Sequence, residues 1–196
     1  MNIKSKRLIA KLAASVIPDD ASLFIDSGST TYNLIPCLAG KQRLTLISHS
    51  LIALNAASGL KELNTIALGG IYNASIGAFV GLSTFDAIKT LSVKVAVMAA
   101  TGVSIHHGLS NTTYFEAEIK RMAVSRCEKI ILLADHTKFD KEAVINYCPL
   151  EKIATVVTDV QPAAKYMEFF QKHNIEVLYG MEWKEAAPKG KPAVHR

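Results

Sequence analysis

Apolar and polar positions along this chain follow two periods, and the two take turns. Residues 3–17 set Ile9, Leu12, Ala13 and Val16 at helical spacing, and Pro18-Asp19-Asp20 ends that helix. Short apolar runs follow at 21–25, 44–48, 65–68, 93–98, 130–134, 153–158 and 175–178, each the length of a strand. Between them lie helical patterns: Leu34, Ile35 and Leu38, ending near 36–40; residues 51–58; Leu82, Phe85 and Ile88; Phe115, Ile119 and Met122 behind a Thr112 cap; and Ala163, Tyr166, Met167 and Phe170. Residues 71–80 fit a hairpin through Asn73-Ala74-Ser75, with Gly77 and Gly81 closing it, and 101–111 read as a polar loop. The run at 130–134 is continuously apolar, as in a strand buried on both faces.

Strands that alternate with helices predict a parallel sheet covered on both sides, an α/β, three-layer, Rossmann-like domain. In such folds ligands sit outside the carboxyl ends of the strands. The polar and glycine-rich stretches fall at those ends: Asp26 to Thr31, Ser48-His49, Gly69-Gly70, Thr101-Gly102 and Asp135 to Lys138. The first of these is the most informative. Phe24-Ile25-Asp26-Ser27-Gly28-Ser29-Thr30-Thr31 reads as strand, tight turn and helix start, with small side chains and hydroxyls where an anion can approach unpaired amides. The same residues also cap a helix with nothing bound. The stretch is neither a P-loop nor a dinucleotide fingerprint.

Composition narrows the class. A chain of 196 residues with 49% hydrophobic content suits one domain with a sizeable core. No apolar run reaches the roughly 18–20 residues of a membrane span, and Lys4, Lys6, Arg7 and Lys11 interrupt the first segment, so no membrane and no signal peptide is expected. Cys37, Cys127 and Cys148 are widely spaced and fit neither a disulfide framework nor a zinc site, which points to the cytoplasm. The net charge of +5 sits at the ends: residues 1–17 carry four positive charges and no acid, and 182–196 carry four against Glu182 and Glu185. The body between is close to neutral, unlike a nucleic-acid surface. The polar tail from about 181, with Pro188 and Pro192, is expected to be disordered.

Taken together, Ile25-Asp26-Ser27-Gly28-Ser29-Thr30-Thr31, Leu68-Gly69-Gly70, Leu133-Ala134-Asp135-His136-Thr137-Lys138-Phe139 and Val156-Val157-Thr158-Asp159 resemble the effector-binding domain of DeoR-type transcriptional regulators. The similarity runs from about Lys4 to Leu178. It implies a fold related to ribose-5-phosphate isomerase, glucosamine-6-phosphate deaminase and CoA transferases, and a sensor for a phosphorylated sugar or similar metabolite. It also implies that operator DNA is contacted only by a separate N-terminal winged helix-turn-helix, for which there is no room before Lys4. A homo-oligomer follows from symmetric operators. Family members commonly carry Thr-Asn where this chain has Ser48-His49.

By this resemblance Ser27, Gly28, Ser29, Thr30 and Thr31 hold the phosphate and Lys138 adds charge, while Asp26 and Asp135 suit sugar hydroxyls. Glu118 and Lys120 share one helix, and at least one of them is expected to face the pocket. Ser48, His49, Gly69, Gly70 and Gly102 complete the predicted rim. No metal and no cofactor are expected: His106 and His107 are adjacent and point apart, with no third ligand at metal spacing. Three readings compete. A sensor is the first, a sugar-phosphate isomerase or deaminase the second, and an oligomerisation module the third. The second needs a carboxylate base. The related isomerases place paired acids where this chain has Ala99-Ala100-Thr101-Gly102, so no catalytic residues are expected.

Overall fold

A computed structural model describes residues 3–180. In chain order the elements are α1 (Ile3–Val16), β1 (Ser22–Ile25), a 3-10 helix (Tyr32–Leu38), β2 (Thr45–Ser48), α2 (Leu51–Ala57), β3 (Asn64–Ala67), β4 (Ile71–Asn73), β5 (Ala78–Val80), α3 (Leu82–Lys89) and β6 (Val93–Met98). There follow β7 (Gly102–Ser104), β8 (Gly108–Asn111), α4 (Tyr114–Ser125), β9 (Cys127–Leu133), a 3-10 turn (His136–Lys138), β10 (Ile145–Cys148), a second such turn (Leu150–Lys152), β11 (Thr155–Thr158), α5 (Ala164–Lys172) and β12 (Glu176–Tyr179).

Seven strands form one parallel sheet in the order β12-β11-β9-β6-β1-β2-β3. Strand alternation divides its side chains between two cores. Leu23, Ile25, Val95, Val97, Ile131 and Leu133 pack under α1, the first 3-10 helix and α2. Phe24, Ala96, Met98, Ile130 and Leu132 pack on the opposite face, with Ile119, Ala123, Tyr166 and Phe170 of α4 and α5. Each fully buried aliphatic side chain contributes about 1.5–3 kcal/mol relative to exposure, so both layers are held by the sheet they share. The three-layer α/β architecture is the expected one.

The chain runs outward from β1 through β2 to β3, then returns to place β6 on the other side of β1 and continues outward through β9, β11 and β12. The order therefore reverses between β1 and β6. The crevice beyond the carboxyl ends of these two strands is the switch point at which open α/β sheets take their ligands.

Several elements differ from the pattern-based expectation. The segment after the hydroxyl loop is a 3-10 helix, with Pro36 inside it removing an amide that an α-helix would need. The presumed polar loop at 101–111 is a hairpin, β7 and β8, joined by β10 into a three-stranded antiparallel sheet. Gly108 turns this hairpin at φ +70°, where a Cβ would lie 2.2 Å from the Cys148 carbonyl oxygen. Thr113 rather than Thr112 precedes helix α4, its hydroxyl donating to Glu116 instead of capping an amide, and the buried face is Ala117, Ile119, Lys120 and Ala123. Phe115 is half-exposed, and Leu82 at the start of α3 is almost fully exposed. The β4–β5 hairpin is as expected, and the Ser50 hydroxyl caps α2 by accepting from the Ala53 amide at 3.3 Å. Residues 181–196, expected to form a disordered tail, lie outside the described residues.

Candidate functional site

Strand β1 ends in Asp26, which is fully buried at the switch point. Its Oδ1 accepts from the Ser27 amide (2.8 Å), and its Oδ2 accepts from the Ala99 amide just beyond β6 (2.9 Å) and from Lys120 Nζ on α4 (2.6 Å). Lys120 also donates to the Ala99 carbonyl (2.8 Å) and lies 5.2 Å from the centre of the Tyr147 ring. The Tyr147 hydroxyl donates to that same carbonyl at 2.8 Å. Burial, and then the Asp26 carboxylate, push the Tyr147 phenol well above its ordinary pKa, so it stays a neutral donor. Asp26 and Lys120 thus saturate one another across the point where the sheet divides. Both are buried where the sheet divides, Asp26 at 0% and Lys120 at 3% exposure.

The loop after Asp26 is drawn tightly over this buried pair. A Cβ on Gly28 would sit 2.5 Å from the Ala99 side chain, so only glycine lets the loop pass so close to β6. The Thr31 hydroxyl is buried and lies 2.7 Å from each of the Asp26 and Gly28 carbonyl oxygens, which makes it a clasp within the loop. The Tyr32 amide returns to the Gly28 carbonyl at 3.2 Å. The amides of Gly28, Ser29 and Thr30 have no acceptor among the described residues. Three successive free amides in a turn form a concavity suited to an anion.

Beside the loop lies a cavity of about 320 Å³, walled on one side by Ser5, Lys6, Ser29 and Thr30 and on the other by Asp135 to Lys138. Lys6 was absent from the sequence-based set. It lies on the buried face of α1, three residues before Ile9, and is only 5% exposed. Its Nζ donates to the Ser29 hydroxyl at 2.6 Å. Burial lowers its pKa; Asp135 works against that shift and Lys138 adds to it. Neither Lys6 nor Lys138 has a carboxylate within ion-pair distance among the described residues. Two lysine charges share a hollow whose lining holds one carboxylate, Asp135, and that carboxylate is ion-paired to neither.

The far wall is rigid. The Asp135 carboxylate caps its 3-10 turn by accepting from the Thr137 amide at 3.0 Å, and the turn is tied to the end of β11 by Asp159. Asp159 accepts from both the His136 amide and His136 Nδ1 at 2.7 Å. Desolvation pushes the Asp159 carboxyl up, but the His136 contacts and a hydrogen bond from Ser5 outweigh it and leave its pKa below the ordinary value.

The remaining predicted residues are placed around this centre rather than in it. Ser48 is buried and donates to the Ile25 carbonyl at 2.7 Å, joining β2 to β1. His49 is fully buried on the α3–α4 side, stacked on Phe24. Gly69 and Gly70 are exposed beyond β3; the Gly69 carbonyl accepts from Thr84 at 2.7 Å, and a Cβ on Gly70 would strike Thr84 and Val80. Gly102 is glycine because the Lys141 carbonyl oxygen passes 2.4 Å from where a Cβ would be. Glu118 pairs with Arg121 along α4. His106 and His107 are exposed on the β7–β8 turn, with His107 3.7 Å from Glu142. Among the described residues larger hollows lie elsewhere, one of about 650 Å³ between α5 and β12 and one of about 400 Å³ beside the β7–β8 turn, and neither brings two lysines together as the Lys6–Lys138 cavity does.

This arrangement has known counterparts. The chain is 34% identical over 172 residues to the HTH-type transcriptional regulator IolR of Bacillus subtilis, a match spanning 88% of this chain and 68% of that protein. It is 25% identical over 174 residues to the glycerol-3-phosphate regulon repressor of Escherichia coli, spanning 89% and 69% respectively. A ribose-5-phosphate isomerase solved with phospho-erythronic acid shares the fold at a TM-score of 0.53 and 22% identity, over 71% of this chain and 55% of the isomerase. The DeoR C terminal sensor domain matches residues 1–160. With the strand order, the hydroxyl loop and the two-lysine cavity already in place, that match settles the lineage: the chain belongs to the DeoR family, of which it is a sensor domain.

Proposed function

We propose that this sensor domain binds a phosphorylated sugar or similar metabolite, with the phosphate in the cavity between the hydroxyl loop and the Asp135–Lys138 turn. The observation that carries the reading is a cavity lined by two lysines without an ion pair, Lys6 and Lys138, beside Ser29 and Thr30, whose backbone amides have no acceptor among the described residues. Charge-assisted hydrogen bonds of this kind contribute about 1.5–3 kcal/mol each. One relative is named as the repressor of a glycerol-3-phosphate regulon, and glycerol 3-phosphate is a metabolite of this class. In this reading the chain binds and does not turn over its ligand. The residues just beyond β6 are Ala99 and Ala100, and the nearest buried acid, Asp26, is held by Lys120. Contact with operator DNA belongs to a part of the regulator outside these 196 residues, since the matched relatives extend well beyond the aligned region. Ile52, Ile71 and Leu82 leave apolar surface around the β4–β5 hairpin, which supports self-association of the domain.

A thermal-shift screen of sugar phosphates tests the reading. A ligand at about 100 times its dissociation constant stabilises the fold by roughly 2.7 kcal/mol. The dephosphorylated sugar at the same concentration does almost nothing, and Lys138→Ala abolishes the shift. Equal binding of the free sugar and its phosphate would remove the cavity from the site. Conversion of ribose 5-phosphate to the ketose would make the protein an enzyme.

A further inference from the structure

The polar groups on the α3–α4 face of the crevice do not all find partners. His49 is fully buried. Its Nδ1 lies 3.0 Å from the Phe79 carbonyl oxygen, an acceptor only, so Nδ1 carries the proton and Nε2 is left as a lone-pair acceptor. No donor among the described residues meets that nitrogen. Asn111, 4% exposed at the end of β8, is the complement. Its Oδ1 accepts from Thr101 at 2.9 Å while its Nδ2 donor has no partner. These are the two buried side-chain polar atoms left unpaired among the described residues, and both belong to segments that close on the carboxyl ends of β2 and β6. Leaving such groups unpaired is costly, and a ligand or a buried water would relieve that cost.

We propose that His49 Nε2 and Asn111 Nδ2 each recognise a hydroxyl of the sugar portion of the ligand, and that His49 is the residue that sets which hydroxyl the ligand must carry. The inference rests on the phosphate reading above and extends it to the other end of the molecule. The chemistry selects the group. A phosphate monoester dianion or a carboxylate has no proton to give Nε2, and an ammonium has no lone pair for the Asn111 amide, whereas a hydroxyl can serve at either atom. The charged groups facing His49 are Asp26, Glu116 and Lys120, from β1 and α4. Burial lowers the imidazole pKa more than Asp26 raises it, so the ring is neutral and its acceptor is retained at physiological pH. Stacking on Phe24, with ring centres 6.1 Å apart and planes 15° from parallel, fixes the ring's orientation.

The test measures binding by calorimetry for inorganic phosphate and for a set of pentose, hexose and polyol monophosphates. The tightest ester is paired with its analogues lacking one hydroxyl at a time. The wild-type protein is expected to disfavour one of these analogues by at least about tenfold. His49→Phe keeps the stacking on Phe24 and removes the acceptor. It is expected to erase that discrimination while leaving the affinity for inorganic phosphate unchanged. His49→Gln, whose carbonyl oxygen can accept, restores part of it. Should His49→Phe fail to fold, Asn111→Ala carries the same expectation. Discrimination that survives these variants, or a wild type indifferent to every missing hydroxyl, overturns the proposal and makes both atoms partners of buried water. So does an ester set that binds no better than phosphate. A protein that binds neither phosphate nor any ester, with Lys138→Ala without effect, sinks the phosphate reading itself and is distinguished by that result.

Discussion

Two pairs of charged residues stand at the same edge of the sheet and are treated in opposite ways. Asp26 and Lys120 are opposite in sign, buried, and saturated by each other and by the backbone around Ala99. Lys6 and Lys138 are alike in sign and face one cavity, whose single lining carboxylate, Asp135, attracts Lys6 but is ion-paired to neither. The first pair spends its hydrogen bonds on joining the ends of β1 and β6 to α4 and is buried. The second leaves charge unmatched, which is unfavourable in the free protein and favourable once an anion arrives. Residue type alone does not separate the two roles, since a lysine serves in each. What separates them is whether the protein has already supplied the counter-charge.

Breaking the first pair has the largest expected effect. Lys120→Met strands a buried carboxylate and is expected to cost about 3–5 kcal/mol, read by urea denaturation. Asp26→Asn/Lys120→Met recovers much of that loss, because the uncompensated charge is gone. A cost of Lys120→Met within the scatter of surface substitutions would show that the pair is not the keystone described above.

Lys6→Met reverses the pattern. Removing one of two like charges from the cavity leaves the free protein as stable as before or more so, yet lowers affinity for a phosphate ester by about tenfold or more, since a charge-assisted bond of about 1.5–3 kcal/mol is lost. Parallel melting and binding curves check both halves, and loss of stability with intact binding would merge the two regions into one structural role. The pH dependence has a definite sign. With its native pKa lowered beneath the ordinary 10.5, Lys6 destabilises the fold while charged, and this penalty is relieved as pH rises from the native value towards 10.5. Over the same range the lysine loses its charge and phosphate affinity falls.

A smaller effect is expected at the far wall. Asp159 has a native pKa below its ordinary 3.8, so its contribution is fully present above 3.8 and is lost as pH falls through the lowered native value. The stability difference between wild type and Asp159→Asn should follow that course in acid melts; a difference that grows on acidification would reverse the assignment. The smallest effect belongs to the exposed Asp20–Arg43 pair, more than half exposed on both sides. Arg43→Ala should leave the melting temperature unchanged within error.

The alternation of strand-length apolar runs with helical stripes was enough to predict the parallel sheet, both covering layers and the strand ends where polar residues collect, because each depends on local periodicity. The small antiparallel sheet was not legible. Val103, Leu109 and Tyr147 are brought together by pairings between segments far apart in sequence, and Gly102 and Gly108 read as loop residues until the backbone crowding around them is known. At the site, the hydroxyl loop and Lys138 could be named from their motifs. Lys6 left a faint signal, a lone cation in register with the apolar stripe of α1, which is equally the mark of a side chain reaching past the core to water.

The sequence by itself determined the order of elements, the place of the hydroxyl loop at a strand end, and the family resemblance those motifs carry. Only the tertiary structure decided which polar residues are free. Whether Asp26, Thr31, Lys120 and His49 offer an atom to a ligand depends on partners contributed by β6, α4, β5 and the loop itself, up to 94 positions away in the chain. Hydrogen-bond saturation is a property of three-dimensional neighbourhoods, and a one-dimensional pattern does not encode it.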